Sequence, residues 1–163
     1  MSTLLPLVNA WDEAHRELAI ALGGLADEDL WTRAHPSLLS VGELAGHIAY
    51  GEAVWVLGPG SYRPDLKALA IKSPLLDHGF GYYTDQVGQP FKVSLGTSQV
   101  LDEIARIHEA SKLLVDQKDS EDAYPGQWGT WGNMVQYQVF HVAYHTGQAY
   151  SVRHLMGHET EDN

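Results

Sequence analysis

The sequence predicts an all-α protein: a four-helix bundle with a long crossover connection between helices 2 and 3. Three observations carry that expectation. Four segments repeat apolar residues at helical spacing. No segment shows the sustained apolar–polar alternation of a half-buried strand. Proline and glycine concentrate in one stretch, from Gly58 to Gly96, which separates the second helical pattern from the third.

The first pattern runs through Leu4, Leu7, Trp11, Leu18, Leu22 and Leu25, and Gly23-Gly24 loosens its end. His15 lies on or near this stripe and reads as a core or boundary residue. Asp27-Glu28-Asp29 reads as a turn or the start of a short helical piece. The second helix has a marked start, because Ser40-Val41-Gly42-Glu43 fits the S-x-x-E capping box. Leu44, His47, Ile48, Gly51, Val54 and Trp55 then follow at helical spacing. Glu43 suits two roles, as cap and as a hydrogen-bond partner for His47 one turn later, and the cap accounts for it sufficiently.

Within the connection that follows, a short helical piece is expected from Pro64 to Ile71, and Phe80, Tyr82 and Tyr83 suggest packing on the body. Connections of this length often cover a site or form a partner surface. The third helix is expected from Thr97 or Ser98, with Val100, Leu101, Ile104, Ile107, Ser111, Leu114 and Val115 as its buried stripe and His108 at the border. Asp119 to Gly132 reads as a loop holding Tyr124, Trp128 and Trp131; Trp128 and Trp131 could wall a pocket or plug the end of a core. The fourth helix spans Met134 to His154, and an acidic tail of about residues 158–163 is expected to fray.

Composition narrows the function. At 163 residues the chain suits one domain, 1–163, with one substantial core. Ten Lys and Arg stand against 21 Asp and Glu, a formal charge of −11, and no basic run occurs. Nucleic acid and anionic membrane surfaces need clustered positive charge, so neither is an expected partner. The absence of cysteine excludes disulfides, thiolate metal sites and a cysteine nucleophile. No apolar run approaches the ~18 to 20 residues of a membrane span, and the opening residues lack the basic region of a signal peptide. A cytoplasmic location is the expectation.

Chemistry concentrates in the fourth helix. His141 and His145 are four residues apart, so their imidazoles project from one face a turn apart, the geometry by which a helix offers two ligands to a divalent metal. Gln148 returns to nearly the same angle. The second pair at this spacing, His154 and His158, starts about 180° around the helix, and Gly157 interrupts it. A metal would need a third ligand, and His47 and His108 are the two candidates.

The segments S-V-G-E-L-A-G-H-I-A-Y and F-H-V-A-Y-H-T-G-Q-A-Y resemble the DinB/YfiT-like family of four-helix-bundle metalloproteins. That family carries one histidine in helix two and an HxxxH pair followed by G-Q in helix four, together holding a divalent metal. By position the resemblance implies His47, His141 and His145 as ligands, with Gly147-Gln148 matching the G-Q. This chain departs in having Tyr144 where members often carry another histidine.

Three neutral imidazoles leave an ion such as zinc or nickel coordinatively open, which marks catalytic rather than structural sites. Such an ion acidifies a bound water or holds a substrate thiol as thiolate. The resemblance implies thiol S-transferases using a low-molecular-weight thiol, with a hydrolase acting on a small molecule as the nearest variant. Two readings from other classes stand beside it. One is a non-catalytic bundle that sequesters metal or acts as a homodimer; the other is a metal-free interaction module with buried structural histidines.

Overall fold

The structure, a computed structural model, describes residues 3–58, 69–77 and 94–160. Within them the chain is helical, with no strand and a single isolated bridge between Ala123 and Thr130. The helices are α1 (Leu5–Leu22), α2 (Asp27–Leu30), α3 (Val41–Glu52), α4 (Thr97–Val115) and α5 (Trp131–Leu155). The four long ones form the expected bundle.

α1 opens with Pro6 in its first turn, where a missing N–H costs nothing. It buries Val8, Trp11, Leu18 and Leu22 and packs most extensively on α5. Its C-terminal carbonyls are satisfied from across the bundle: Arg153 Nη1 of α5 donates to Ala21 O at 2.9 Å and Gly23 O at 2.7 Å. Gly24 then turns the chain at φ +72°, a conformation that favours glycine. α2 is the short piece expected at Asp27. Its Asp27 Oδ1 accepts from Thr97 N at 2.7 Å, so one carboxylate serves the start of α4.

α3 begins with the predicted capping box: Ser40 Oγ accepts from Glu43 N at 3.2 Å, and Glu43 Oε2 accepts from Ser40 N at 2.7 Å. The same carboxylate takes Arg33 Nε at 2.8 Å and Nη2 at 2.5 Å, with Glu43 fully buried. Those partners place Glu43 in the capping role at the start of α3. The helical pattern continues past Glu52, but Ala53–Leu57 is a π-helical turn, with Gly58 N donating to Ala53 O at 3.0 Å. A wide turn of this kind often marks functional positions.

Of the connection between α3 and α4, residues 69–77 are described. Leu69–Ile71 is not helical, and a 3-10 turn occupies Pro74–Leu76. The rest of the expected Pro64–Ile71 piece, together with His78, Phe80, Tyr82 and Tyr83, lies outside the described residues. α5 starts earlier than the pattern from Met134 suggested. Thr130 Oγ1 accepts from Asn133 N at 3.2 Å, and this cap draws Trp131 into the first turn.

Candidate metal centre

α3 and α5 lie side by side and bring His47, His141 and His145 together. One potential ligand nitrogen from each lies within 4.8 Å of the others. His141 Nε2 and His47 Nε2 face one another at 3.1 Å, and His145 meets both rings at centroid distances of 4.5 and 4.6 Å. His141 and His145 are buried, and His47 is half-buried. Gly51, one turn after His47, makes room for this convergence. A Cβ there would fall 2.9 Å from His141 Cε1.

The local electrostatics keep the triad neutral. Burial, reinforced by His47 and His145, pushes His141 down to about 2. Burial and the neighbouring His145 push His47 down to about 4. Burial also lowers His145, against the hydrogen bond with Gln148. That bond joins His145 Nδ1 to Gln148 Oε1 at 2.6 Å. With Nδ1–H donating to the amide oxygen, the Nε2 lone pair is left free, which is how an outer partner fixes the tautomer of a ligating histidine.

The histidines form part of the wall of a cavity of about 500 Å³, which also includes Tyr50, Trp55, Tyr137, Phe140 and Tyr144. That volume suits a small molecule, and the wall is mostly aromatic. Trp128 does not line the cavity. It stacks on Tyr137 at 4.0 Å and meets Trp55 edge-on at 6.2 Å, bracing two residues that do. Trp131 is buried against Tyr124 at 5.3 Å and plugs the start of α5. Sequence reading overlooked Tyr137 and Phe140, although they lie four residues and one residue before His141 and so flank its face.

His108, the other candidate for third ligand, points elsewhere. It belongs to a second cluster with His15 and Glu52, on the α1–α4 side of α3. His154 and His158 separate: the first faces Thr160 and the second Asp29.

The donor chemistry fits a divalent ion. Three neutral imidazoles converge, and one is oriented by an amide. Nitrogens about 3.3 Å apart surround a tetrahedral ion at the usual 2.0–2.1 Å bond length, close to the His47–His141 approach. A helical bundle with an imidazole triad in the wall of an aromatic cavity defines the class of this protein. The model of the DinB superfamily matches residues 10–149, and the chain belongs to that superfamily. No curated protein matches significantly. No helix among the described residues is long and apolar enough to cross a membrane.

Proposed function

We propose that this protein is a metal-dependent enzyme in which His47, His141 and His145 hold a divalent ion, zinc or nickel, and a small molecule occupies the adjoining cavity. The convergence of the three imidazoles on that cavity carries the reading. When bound, the ion supplies Lewis acidity, enough to activate a thiol or a water at neutral pH. The reaction class we infer is transfer to or from a low-molecular-weight thiol, with hydrolysis as the variant.

The chain's residues divide the remaining work. Gln148 holds His145 in the tautomer that presents Nε2. Trp55, Tyr137 and Phe140 exclude water and receive the apolar part of a substrate. Among the described lining residues, the proton-carrying groups besides the histidines are the hydroxyls of Tyr50, Tyr137 and Tyr144. No carboxylate or amine lines this described wall, and that favours one second reading: a bundle that sequesters metal without turnover.

Metal content per chain on untagged protein tests the site, followed by cobalt substitution to separate the two readings. The expected result is an ion lost in His47→Ala, His141→Ala and His145→Ala, and a cobalt spectrum that changes when thiols are added. An ion retained in all three variants would refute the ligand set. A cobalt spectrum indifferent to thiols and to water-displacing anions would refute the enzyme and favour sequestration.

A further inference from the structure

Hydrogen bonding fixes the protonation of the cluster between α1, α3 and α4. Glu52 of α3 is fully buried, and its two oxygens face two imidazoles. His15 Nε2 of α1 lies 2.8 Å from Oε2, and His108 Nδ1 of α4 lies 3.2 Å from Oε1. The other ring nitrogen of His108, Nε2, lies 2.8 Å from Asp12 Oδ1. An ionised carboxylate only accepts, so an imidazole with a carboxylate against each nitrogen carries both protons. His108 is an imidazolium.

The neighbouring charges agree. Lys112 Nζ sits 2.9 Å from Asp12 Oδ1 and offsets that carboxylate, which leaves Glu52 in need of one cation. His15 does not supply it. Its Nδ1 is buried with no hydrogen-bond partner among the described residues, and its ring stacks on His108 at a centroid distance of 3.7 Å, with planes 24° apart. Two cationic rings in that stack would repel, so one proton serves the pair. Burial opposes the charged form of His108, but the hydrogen bonds to Glu52 and Asp12 outweigh it and raise its pKa. Arg16 of α1 and Glu109 of α4 border the surface cavity beside His108, where they pair with Glu13 and Lys112. On the α5 side, His141 feels the charge of Glu52 and stays neutral.

The place of Glu52 in the chain gives this network a consequence for the aromatic cavity. Glu52 ends α3, between Gly51, which packs on His141, and the π turn Ala53–Leu57. That turn carries Trp55 onto the cavity wall, where its ring meets His141 edge-on at 5.2 Å. Trp55 O accepts from Tyr124 OH at 2.7 Å. The wall residue is thus tied by its own carbonyl to Tyr124 and, one turn upstream, through Glu52 to α1 and α4.

We propose that His108, held as a buried imidazolium by Glu52 and Asp12, is a positioning residue that sets the π turn and keeps Trp55 on the cavity wall. Removing its proton leaves Glu52 a buried carboxylate without a cation, which is strongly unfavourable. The anchor is therefore complete at about pH 6.5, the ordinary imidazole value, and is lost as the pH rises through the raised value of His108. Mildly alkaline solution then frees the end of α3 and loosens the wall at Trp55. This inference goes beyond the metal reading and needs no ion at the triad.

Ring-nitrogen NMR of the metal-free full chain, between about pH 6 and 9, tests the proposal, with the Trp55 indole signal assigned through Trp55→Phe. In wild type, His108 should carry both ring protons at about pH 6.5 and lose one in a single step above it, and the Trp55 signal should move in that same step. Asp12→Asn keeps an acceptor oxygen without the charge, so both steps should shift down together by about one pH unit, a tenfold weaker hold on the proton. Glu52→Gln has the same shape and no charge; it should leave His108 neutral above about pH 6.5 and abolish the Trp55 step. A His108 that is neutral throughout in wild type would overturn the imidazolium. A Trp55 signal that ignores the His108 step, or fails to follow it in Asp12→Asn, would overturn the positioning role and leave a structural ion pair only. If wild type keeps both protons across the whole range, Glu52→Gln decides: a displaced Trp55 signal supports the proposal and an unmoved one overturns it. Should Glu52→Gln fail to fold, Asp12→Asn decides, since the Asp12 side chain is 40% exposed and tolerates the change.

Discussion

Gly51→Ala probes how tightly the triad is built. The new Cβ would fall 2.9 Å from His141 Cε1 and 3.2 Å from Trp55 Cζ3, where ordinary contacts begin near 3.4 Å. The shortfall against the imidazole is about 0.5 Å, and metal–nitrogen distances tolerate only about 0.2 Å. His141 has little room to retreat, since its ring meets Trp55 at 5.2 Å, His47 at 4.9 Å and His145 at 4.6 Å.

Overpacking should cost about 1–3 kcal/mol, against a gain of about 0.8–1.0 kcal/mol from replacing a helical glycine by alanine. The metal-free variant should therefore melt at or a few degrees below wild type, while its zinc affinity falls about 10-fold or more. Gly147→Ala is the control. Among the described residues, a Cβ at Gly147 meets nothing within 4 Å, so this substitution should stabilise the protein by up to about 1 kcal/mol and leave metal affinity unchanged. Chelator competition and thermal denaturation read both quantities. Equal zinc affinity in wild type and Gly51→Ala, with the stabilisation seen for Gly147→Ala, would refute a close-fitting His141.

Removing one member of the buried Arg33–Glu43 pair should be severe, because Arg33→Met leaves Glu43 fully buried and charged; the expected loss is about 3–5 kcal/mol in urea denaturation, and a loss under 1 kcal/mol would refute the pairing. The metal-free protein should also lose stability on acidification. His47, His141 and His145 take up protons in the unfolded chain below about pH 6.5 but resist them when folded, so stability is full above that value and falls as the pH drops towards about 4, where His47 protonates. His108 opposes this, since its raised pKa contributes stability at low pH that is lost as pH rises through it, but three groups outweigh one. Urea midpoints at pH 7.5, 6.5 and 5.5 check the sign, and a midpoint that rises on acidification would show it to be wrong.

Periodicity and capping are local properties, so the sequence alone determined the four long helices and their buried faces, though not the early start of α5 or the π turn after Glu52. The apolar stripe of α1, the Ser40–Glu43 box and the His141–His145–Gln148 face all depend on residues within two turns of one another. The resemblance in two short segments implied His47 rather than His108 as the third ligand, and the fold brings His47 beside His141 and His145. What escaped notice was long-range. No local pattern singles out Glu52, yet packing of α3 against α1 and α4 buries it between two imidazoles, and these hold its carboxyl down near 2 against the opposing effect of burial. No local pattern singles out Arg153 either, but the α1–α5 contact makes it the cap of another helix.

The cavity wall was hidden for a related reason. Tyr137, Phe140 and Tyr144 occupy α5 beside the histidines, but whether aromatic residues there line a pocket or a core depends on how far apart α3 and α5 stand. The π turn after Glu52 contributes to that choice by carrying Trp55 onto the wall. A helix face can be read from spacing because the chain itself fixes 100° per residue. Which face meets which is settled only when side chains from distant segments compete for the same volume, and that competition exists only in the folded protein.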